Sequence, residues 1–361
     1  MAENSPDPAS TRARGRGAAS NRSGRFERHA REAVHDGWET DQDLPPLRTE
    51  VSVERPRSVV TRNTSPDVGF DRSINPYRGC EHGCIYCFAR PTHAWLGQSA
   101  GLDFETKLVA RPGAPEVLAE ELRRASYRPA VIAIGTNTDP YQPIEAERRI
   151  MRGILEVLRA HGHPVAVVTK GTLVERDLDL LGEMAAKGLA RVGITVTTLD
   201  PGLSRRMEPR VPLPARRIET IRRLSETGVP VRVMISPVVP ALTDHELEAI
   251  LAACAEAGAV AASWIMLRLP LEVAPLFRDW LGTHYPERAA RVMGRVREVH
   301  GGRDYDPEWG KRMRGEGPFA DLVAHRFEIA CRRLGLAQDL PPLRTDLFRV
   351  PPRAGDQLEL F

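Results

Sequence analysis

Val192-Gly193-Ile194-Thr195-Val196-Thr197 and Val231-Arg232-Val233-Met234-Ile235-Ser236 are the two runs whose alternation selects the fold. In the first, Val192, Ile194 and Val196 alternate with glycine and threonine. In the second, Val231, Val233 and Ile235 alternate with a set that contains Arg232 and Ser236. A strand covered on both faces, as in an open doubly wound sheet, reads apolar throughout. Here one face is apolar, under helices, and the other is polar. That pattern predicts an incompletely closed barrel with a wet interior.

Outward from these runs, further strands are expected at residues 131–135, 165–169 and 263–269, with a weaker first strand near 68–74. The spacing leaves room for one crossover helix between most successive strands. Helical periods fill the gaps at residues 115–125, 144–161, 173–187, 216–226 and 244–257, the last with Thr243 as its N-cap. Six βα units account for residues 69–272. After Pro270 the chain turns helical through residue 337, interrupted by the loop Gly301-Gly302-Arg303-Asp304-Tyr305-Asp306. Residues 338–361 read as an extended, proline-rich tail, and residues 41–68 as an extended leader. Residues 1–40 are rich in Arg, Ser, Gly and Asp without apolar period, the composition of a disordered arm. Its Arg12, Arg14, Arg16, Arg22 and Arg25 are placed to meet nucleic-acid phosphates, or simply solvent. One internal repeat occurs: Gln42-Asp43-Leu44-Pro45-Pro46-Leu47-Arg48-Thr49 recurs at residues 338–345.

The 361 residues are 42% hydrophobic and 27% charged, enough for a sizeable core. Net charge is only +3, but just four of the 51 basic residues are lysine (Lys107, Lys170, Lys187, Lys311). No run approaches the roughly 18 apolar residues of a membrane span, and no signal peptide is evident, so a cytoplasmic location is expected. Five cysteines, three of them within eight residues, argue for a metal site rather than a disulfide framework.

Those three form Cys80-Glu81-His82-Gly83-Cys84-Ile85-Tyr86-Cys87, a C-x3-C-x2-C run. Three thiolates on one loop suit three irons of a 4Fe–4S cluster, whose usual complement is four cysteines. Cys254 and Cys331 lie far along, in helical apolar contexts that suit packing. One iron is then left open, the mark of a catalytic centre. The competing reading is a zinc site with His82 or His93 as fourth ligand, and a non-catalytic iron–sulfur or zinc module follows from it. His82, His93, His161, His163, His245, His284 and His300 are scattered, and most read as loop or helix-surface residues. Tyr305 is a candidate radical relay or substrate contact, or an ordinary surface residue.

The motif resembles that of the radical S-adenosylmethionine (SAM) superfamily, C-x3-C-x-aromatic-C after the first strand of a partial (βα)6 barrel. Cys80, Cys84, Tyr86 and Cys87 match it at every defined position. The resemblance implies an enzyme in which the open iron chelates SAM, an electron splits the sulfonium bond, and a 5′-deoxyadenosyl radical abstracts hydrogen from substrate. It also implies an electron donor such as flavodoxin or ferredoxin. The superfamily places a Gly-Gly-Glu-like stretch after strand two to hold the SAM amine. Here that place reads Gly135-Thr136-Asn137-Thr138-Asp139-Pro140-Tyr141-Gln142, with Thr138 and Asp139 as substitutes. Lys170, at the end of strand three, is then placed to hold the SAM carboxylate, and Thr195 and Thr197, which face inward by alternation, to reach the ribose.

The flanks Ile74-Asn75-Pro76-Tyr77-Arg78-Gly79 and Phe88-Ala89-Arg90-Pro91 are similar to a bacterial group related to spore photoproduct lyase. That resemblance implies hydrogen abstraction from a DNA lesion, with RNA, a peptide or a metabolite as the alternatives. The final Gln357-Leu358-Glu359-Leu360-Phe361 resembles the pentapeptide by which bacterial polymerases and repair proteins bind the sliding clamp. An extended tail presenting Leu360 and Phe361 to an apolar pocket would suit it; the alternative is a plug on its own barrel.

Overall fold

The computed structural model describes residues 15–27 and 47–353. Six parallel strands build the main sheet: Arg72–Ile74, Ile132–Ile134, Val165–Thr169, Ala190–Thr195, Val231–Val238 and Ala261–Met266. They lie side by side in chain order, and Thr61–Arg62 pairs antiparallel with the first. A second sheet places Lys107–Ala110 between Glu50–Val53 and Tyr77–Arg78.

The main sheet does not close. The last strand pairs instead with later chain: Ala262 N–H donates to Ala337 O (2.9 Å) and Met266 N–H to Met313 O (2.8 Å). The neighbouring Arg312 and Gly310 bind the carboxylate of Asp67, beside the opposite edge. The polar loop of residues 301–317 therefore spans the gap between the two edges.

Helices cover the outer face as the periodicity requires. Ile150–Ala160 buries Ile150, Met151, Ile154, Leu155 and Leu158 on one stripe. The expected single helix 144–161 is broken, because Arg149 takes a left-handed backbone (φ 52°) between Glu145–Arg148 and Ile150–Ala160. Thr243 does not cap the helix Leu247–Glu256. Its hydroxyl accepts from Val239 N–H (2.9 Å) and closes the preceding turn instead. The three C-terminal helices are Val273–His284, Pro286–Val299 and Pro318–Leu334, the last ended by Gly335 at φ 68°. Cys254 and Cys331 pack in the core. Among the described residues no helix is long and apolar enough to cross a membrane.

The barrel interior is drier than the alternation suggests. Val168, Met234 and Ile265 share the lumen face with Thr195 and Ser236. A small arc must fill its own interior with side chains. Gly193 makes room for that filling: a Cβ there would stand 2.9 Å from Met234 Sδ.

Residues 15–27 belong to the arm whose composition reads as disordered, yet they are seated on the barrel. The buried Glu105 carboxylate accepts from Gly17 and Ala18 N–H, both 2.9 Å. Arg16, Arg22 and Arg25 bind Glu105 O, Asp279 and Glu272 respectively; Arg12 and Arg14 lie outside the described residues. Five of the histidines expected at the surface (His82, His93, His161, His163, His300) are buried instead. Each has a ring nitrogen against a carbonyl or carboxylate, which lowers the cost of burial.

The two copies of the repeat go to different places where they are described. Leu47–Thr49 lies at the cysteine loop, with Leu47 O accepting from Arg16 and Thr49 Oγ1 donating to Glu81 (2.6 Å). Residues 338–345 run beneath the opposite end of the sheet, where Arg344 N–H donates to Gly188 O and Arg232 to Gln338 O. Residues 357–361 lie outside the described residues.

Under that end of the sheet, Phe348 packs on the rings of Tyr127 and His163. His163 Nε2 is 2.7 Å from the Tyr127 hydroxyl and Nδ1 is 3.0 Å from Pro164 O. Burial, with Arg72 nearby, pushes the imidazole down to about 4. The folded state therefore prefers neutral His163, and below about pH 6.5 the unfolded chain binds the extra proton. Stability from this group is complete above pH 6.5 and is lost as pH falls toward 4, by about 2–3 kcal/mol at pH 4.5. Urea titrations at pH 8 and 4.5 should show that loss reduced in His163→Gln. Equal pH dependence in the two proteins would contradict it.

Candidate metal and cofactor centre

The cysteine loop begins immediately after the first barrel strand and the short strand Tyr77–Arg78. Two glycines let it turn: Gly79 (φ 74°) and Gly83 (φ 68°), where a Cβ would meet Glu105 Oε2 at 2.6 Å. Cys80 N–H donates to Phe104 O (3.0 Å), Cys87 N–H to Cys84 O (3.2 Å), and Glu81 N–H to Gln142 Oε1 (2.9 Å).

A buried guanidinium holds the loop from behind. Arg90 donates to Cys84 O, Gly83 O, Ala100 O and Gly101 O at 3.0–3.1 Å, and to Glu105 Oε1 at 2.5 Å. Both partners of that ion pair are fully buried. A second buried pair holds the motif tyrosine. Tyr86 OH and Thr197 Oγ1 donate to Glu208 Oε1, while Arg217 donates to Glu208 Oε2 (2.7 Å) and to Thr195 O (2.9 Å). Burial and the Glu208 charge push the Tyr86 phenol well up, so it stays a donor. Burial disfavours ionised Glu208, but Arg217 and Lys170 outweigh it and hold the carboxyl below its ordinary range.

All three cysteines are free thiols, Cys80 and Cys84 buried and Cys87 partly so. Cys84 and Cys87 line a cavity of about 270 Å³ together with Tyr86, Lys170, Thr195 and Ser236. An adjoining space of about 100 Å³ adds Cys80, His82, Thr138 and Asp139 to the shared wall. The lining comes from the C-terminal ends of successive parallel strands, where α/β sheets place their ligands. Burial pushes the Cys84 thiol up to about 12 while Lys170 works in the opposite direction. Cys87 is raised by burial and opposed by Arg90.

This donor set fits a 4Fe–4S cluster. Among the described residues no three His, Cys, Asp or Glu side chains stand close enough to hold a single metal ion. Around one zinc all sulfurs lie about 2.3 Å from the same centre, whereas a cubane binds each thiolate at a different corner. His93 Nε2 is 2.9 Å from Lys107 O and His82 Nδ1 is 3.3 Å from Asp139, contacts that engage one ring nitrogen of each.

The other expected residues divide. Lys170 lines both spaces, with Nζ 5.7 Å from the centre of the Tyr86 ring and no carboxylate partner among the described residues. Thr195 reaches the cavity; Thr197 is turned away onto Glu208. Thr138 Oγ1 donates to Tyr77 O (3.1 Å). Asp139 accepts from Thr169 Oγ1 (2.6 Å), Lys170 N–H (2.7 Å) and Tyr141 N–H (2.9 Å). Burial opposes its charge, yet His82 and these donors hold the carboxyl down at about 2. Asp139 thus ties the turn after strand two to the end of strand three and orients Lys170. The positioning residues Glu105, Glu208 and Arg217 carry no motif signal. Their roles depend on pairings across up to 122 residues of sequence, as between Tyr86 and Glu208.

The model of the radical SAM superfamily matches residues 74–254. An uncharacterised protein of Mycobacterium tuberculosis (strain ATCC 25618 / H37Rv) is 39% identical over 287 residues, covering 79% of this chain and 81% of that protein. One of Methanocaldococcus jannaschii is 27% identical over 214 residues, 59% of this chain and 76% of that protein. Among solved structures, spore photoproduct lyase complexed with dinucleoside spore photoproduct has a TM-score of 0.57 at 14% identity, over 80% of this chain and 81% of that one. That likeness is one of fold.

Proposed function

The chain belongs to the radical SAM superfamily, whose members use SAM and a 4Fe–4S cluster, and from that membership we propose an enzyme that abstracts hydrogen from a base in DNA. One observation carries the reading: three free thiols and the ammonium of Lys170, which has no carboxylate partner among the described residues, converge on one cavity at the C-terminal end of the sheet. When bound, the cluster and SAM together supply the reductive cleavage that yields the hydrogen-abstracting species. The protein's part is to bind, orient and exclude solvent.

In this reading Cys80, Cys84 and Cys87 hold three irons. Lys170 meets the SAM carboxylate, Tyr86 borders the adenosyl group, and Thr195 lies at the ribose. Thr138 and Asp139 fix the turn that receives the amine. The apolar walls from Val168, Met234 and Ile265 keep quenching donors away from the reacting carbon. DNA as substrate is supported by the fold shared with spore photoproduct lyase and by the clamp-like tail. RNA, peptide and metabolite substrates are separated by an anaerobic turnover screen with deuterium-labelled DNA, RNA and peptides, read as label in 5′-deoxyadenosine. Label from DNA alone is expected; label only from peptide or RNA would overturn the DNA assignment. Reduced low-potential clusters suit the cytoplasm, and flavodoxin or ferredoxin suits the donor's role.

Lys170→Met should lower SAM affinity roughly 10- to 100-fold, the effect of removing one charged hydrogen bond from a partly desolvated site. Equilibrium dialysis with labelled SAM measures it, and unchanged affinity would refute the assignment. We also propose that Gln357-Leu358-Glu359-Leu360-Phe361 recruits the protein to the sliding clamp. So short a segment gives affinity of about 8 kcal/mol, in the micromolar range. Truncating it should remove clamp binding without altering deoxyadenosine formation; the plug alternative predicts lower thermal stability and unchanged clamp binding.

A further inference from the structure

The cavity has a second cation besides Lys170. Arg268 follows the last barrel strand, Ala261–Met266, as Lys170 follows the third. Its guanidinium lies 5.0 Å from the centre of the Phe88 ring and 5.8 Å from that of Tyr305. Phe88 comes directly after Cys87 and is 44% exposed; Tyr305 comes from the loop that spans the open sheet. Arg268, Phe88 and Met313 all line the cavity with Cys84 and Cys87.

The hydrogen bonding of Arg268 is incomplete. Nη2 donates to Tyr305 OH at 3.3 Å, Nη1 points at the weak acceptor Met313 Sδ at 3.3 Å, and Nε is buried without a partner. No carboxylate pairs with it among the described residues. Arg217 shares the unpartnered Nε, but it and Arg90 differ in being fully buried with a carboxylate and at least one carbonyl on their other donors. A guanidinium has five donors and no acceptor. One held beside the cavity by aromatic faces, with the nearby Asp67 carboxylate taken by Arg312, is poised for acceptors brought by a ligand.

We propose that Arg268, with Phe88 and Tyr305, is the substrate-recognition element, and that it takes a nucleobase bearing carbonyl oxygens, stacked on Phe88 with its oxygens toward the guanidinium. This deepens the hydrogen-abstraction reading above and rests on it. Aromatic rings and arginine planes hold single bases in this way, and arginine donors favour oxo-bearing base edges over the adenine amino edge. The same contacts place the base in front of Cys84 and Cys87, at the mouth of the site that generates the radical.

The test uses the full-length, anaerobically reconstituted protein and three probes in equilibrium dialysis: thymidine 5′-monophosphate, 2′-deoxyadenosine 5′-monophosphate and inorganic phosphate. Thymidine monophosphate should bind roughly tenfold or more tightly than the adenine nucleotide. Arg268→Gln should weaken it roughly 10- to 100-fold, and Arg268→Lys, which keeps the charge but not the plane, should fail to restore it. Phe88→Leu, at a half-exposed position that folding tolerates, should weaken it roughly fivefold or more through lost stacking. Unchanged affinity in Arg268→Gln, displacement by phosphate alone, or no binding of the thymidine probe each overturns the proposal. Deoxyadenosine formation by the wild type without any nucleotide is read in parallel. If it occurs and the thymidine probe does not bind, only the base-recognition element falls. If it does not occur, the hydrogen-abstraction reading falls, while Arg268-dependent binding would still stand as a nucleotide site.

Discussion

Alanine at Cys80, Cys84 or Cys87 is expected to abolish deoxyadenosine formation, a loss of at least about a thousandfold, because each thiolate holds a different corner of the cluster and no other cysteine can replace it. Cys254 and Cys331 are buried in the core behind the sheet and are the wrong distance away in the chain to substitute. The fold should survive. The three side chains border the cavities, Cys84 and Cys80 also packing in apolar clusters where alanine removes only one sulfur, and the loop backbone is held independently by Arg90, Phe104 O and Gln142. Thermal unfolding of the apo variants near that of the apo wild type, with iron content and deoxyadenosine both lost, is the predicted combination. Activity retained in any one of the three variants would show that the cysteine concerned is not a ligand.

The second large effect is expected at Arg90. Its guanidinium donates five hydrogen bonds in a fully buried setting, four of them to carbonyls of the loop and its neighbours and one to Glu105. Arg90→Met leaves the Glu105 carboxylate buried with, among the described residues, only Gly17 and Ala18 N–H as donors. Breaking a buried pair from one side costs about 3–5 kcal/mol. Arg90→Lys should rescue little, since a single ammonium cannot reach carbonyls spread over the fork of the guanidinium. Arg90→Met combined with Glu105→Gln should recover part of the stability but not the iron content, because the carbonyls of Gly83 and Cys84 remain unheld. Urea midpoints and iron per chain measured on the three variants check this. Full stability in Arg90→Met would contradict it.

Much of the scaffold was legible in the sequence because it follows from period and spacing. The alternation in 192–197 and 231–236 gave an open barrel, and the observed strands lie within a few residues of the expected ones. Cys80, Cys84 and Cys87 were legible because a metal-binding loop writes its ligands locally. What resisted was whatever depends on a distant partner. Thr243 looked like a cap until Val239 N–H was seen to use its hydroxyl. Thr197 is expected to face inward by alternation, but Glu208, eleven residues on, takes its hydroxyl and it does not line the cavity. Residues 15–27 have the composition of a free arm, and distant carboxylates (Glu105, Asp103, Asp279 and Glu272) explain why they are seated. The dry lumen was likewise invisible, since Gly193 reads as small and polar-compatible although it exists to admit Met234.

The central claim is an iron with an open position beside Lys170, ready for SAM. It is tested most directly by electron paramagnetic resonance of the reduced, reconstituted protein with and without SAM, alongside metal analysis. Four irons per chain and a 4Fe–4S signal that SAM shifts are predicted, with the shift weakened in Lys170→Met at the same SAM concentration. Stoichiometric zinc without iron, or a cluster signal that saturating SAM leaves unchanged, would contradict the account.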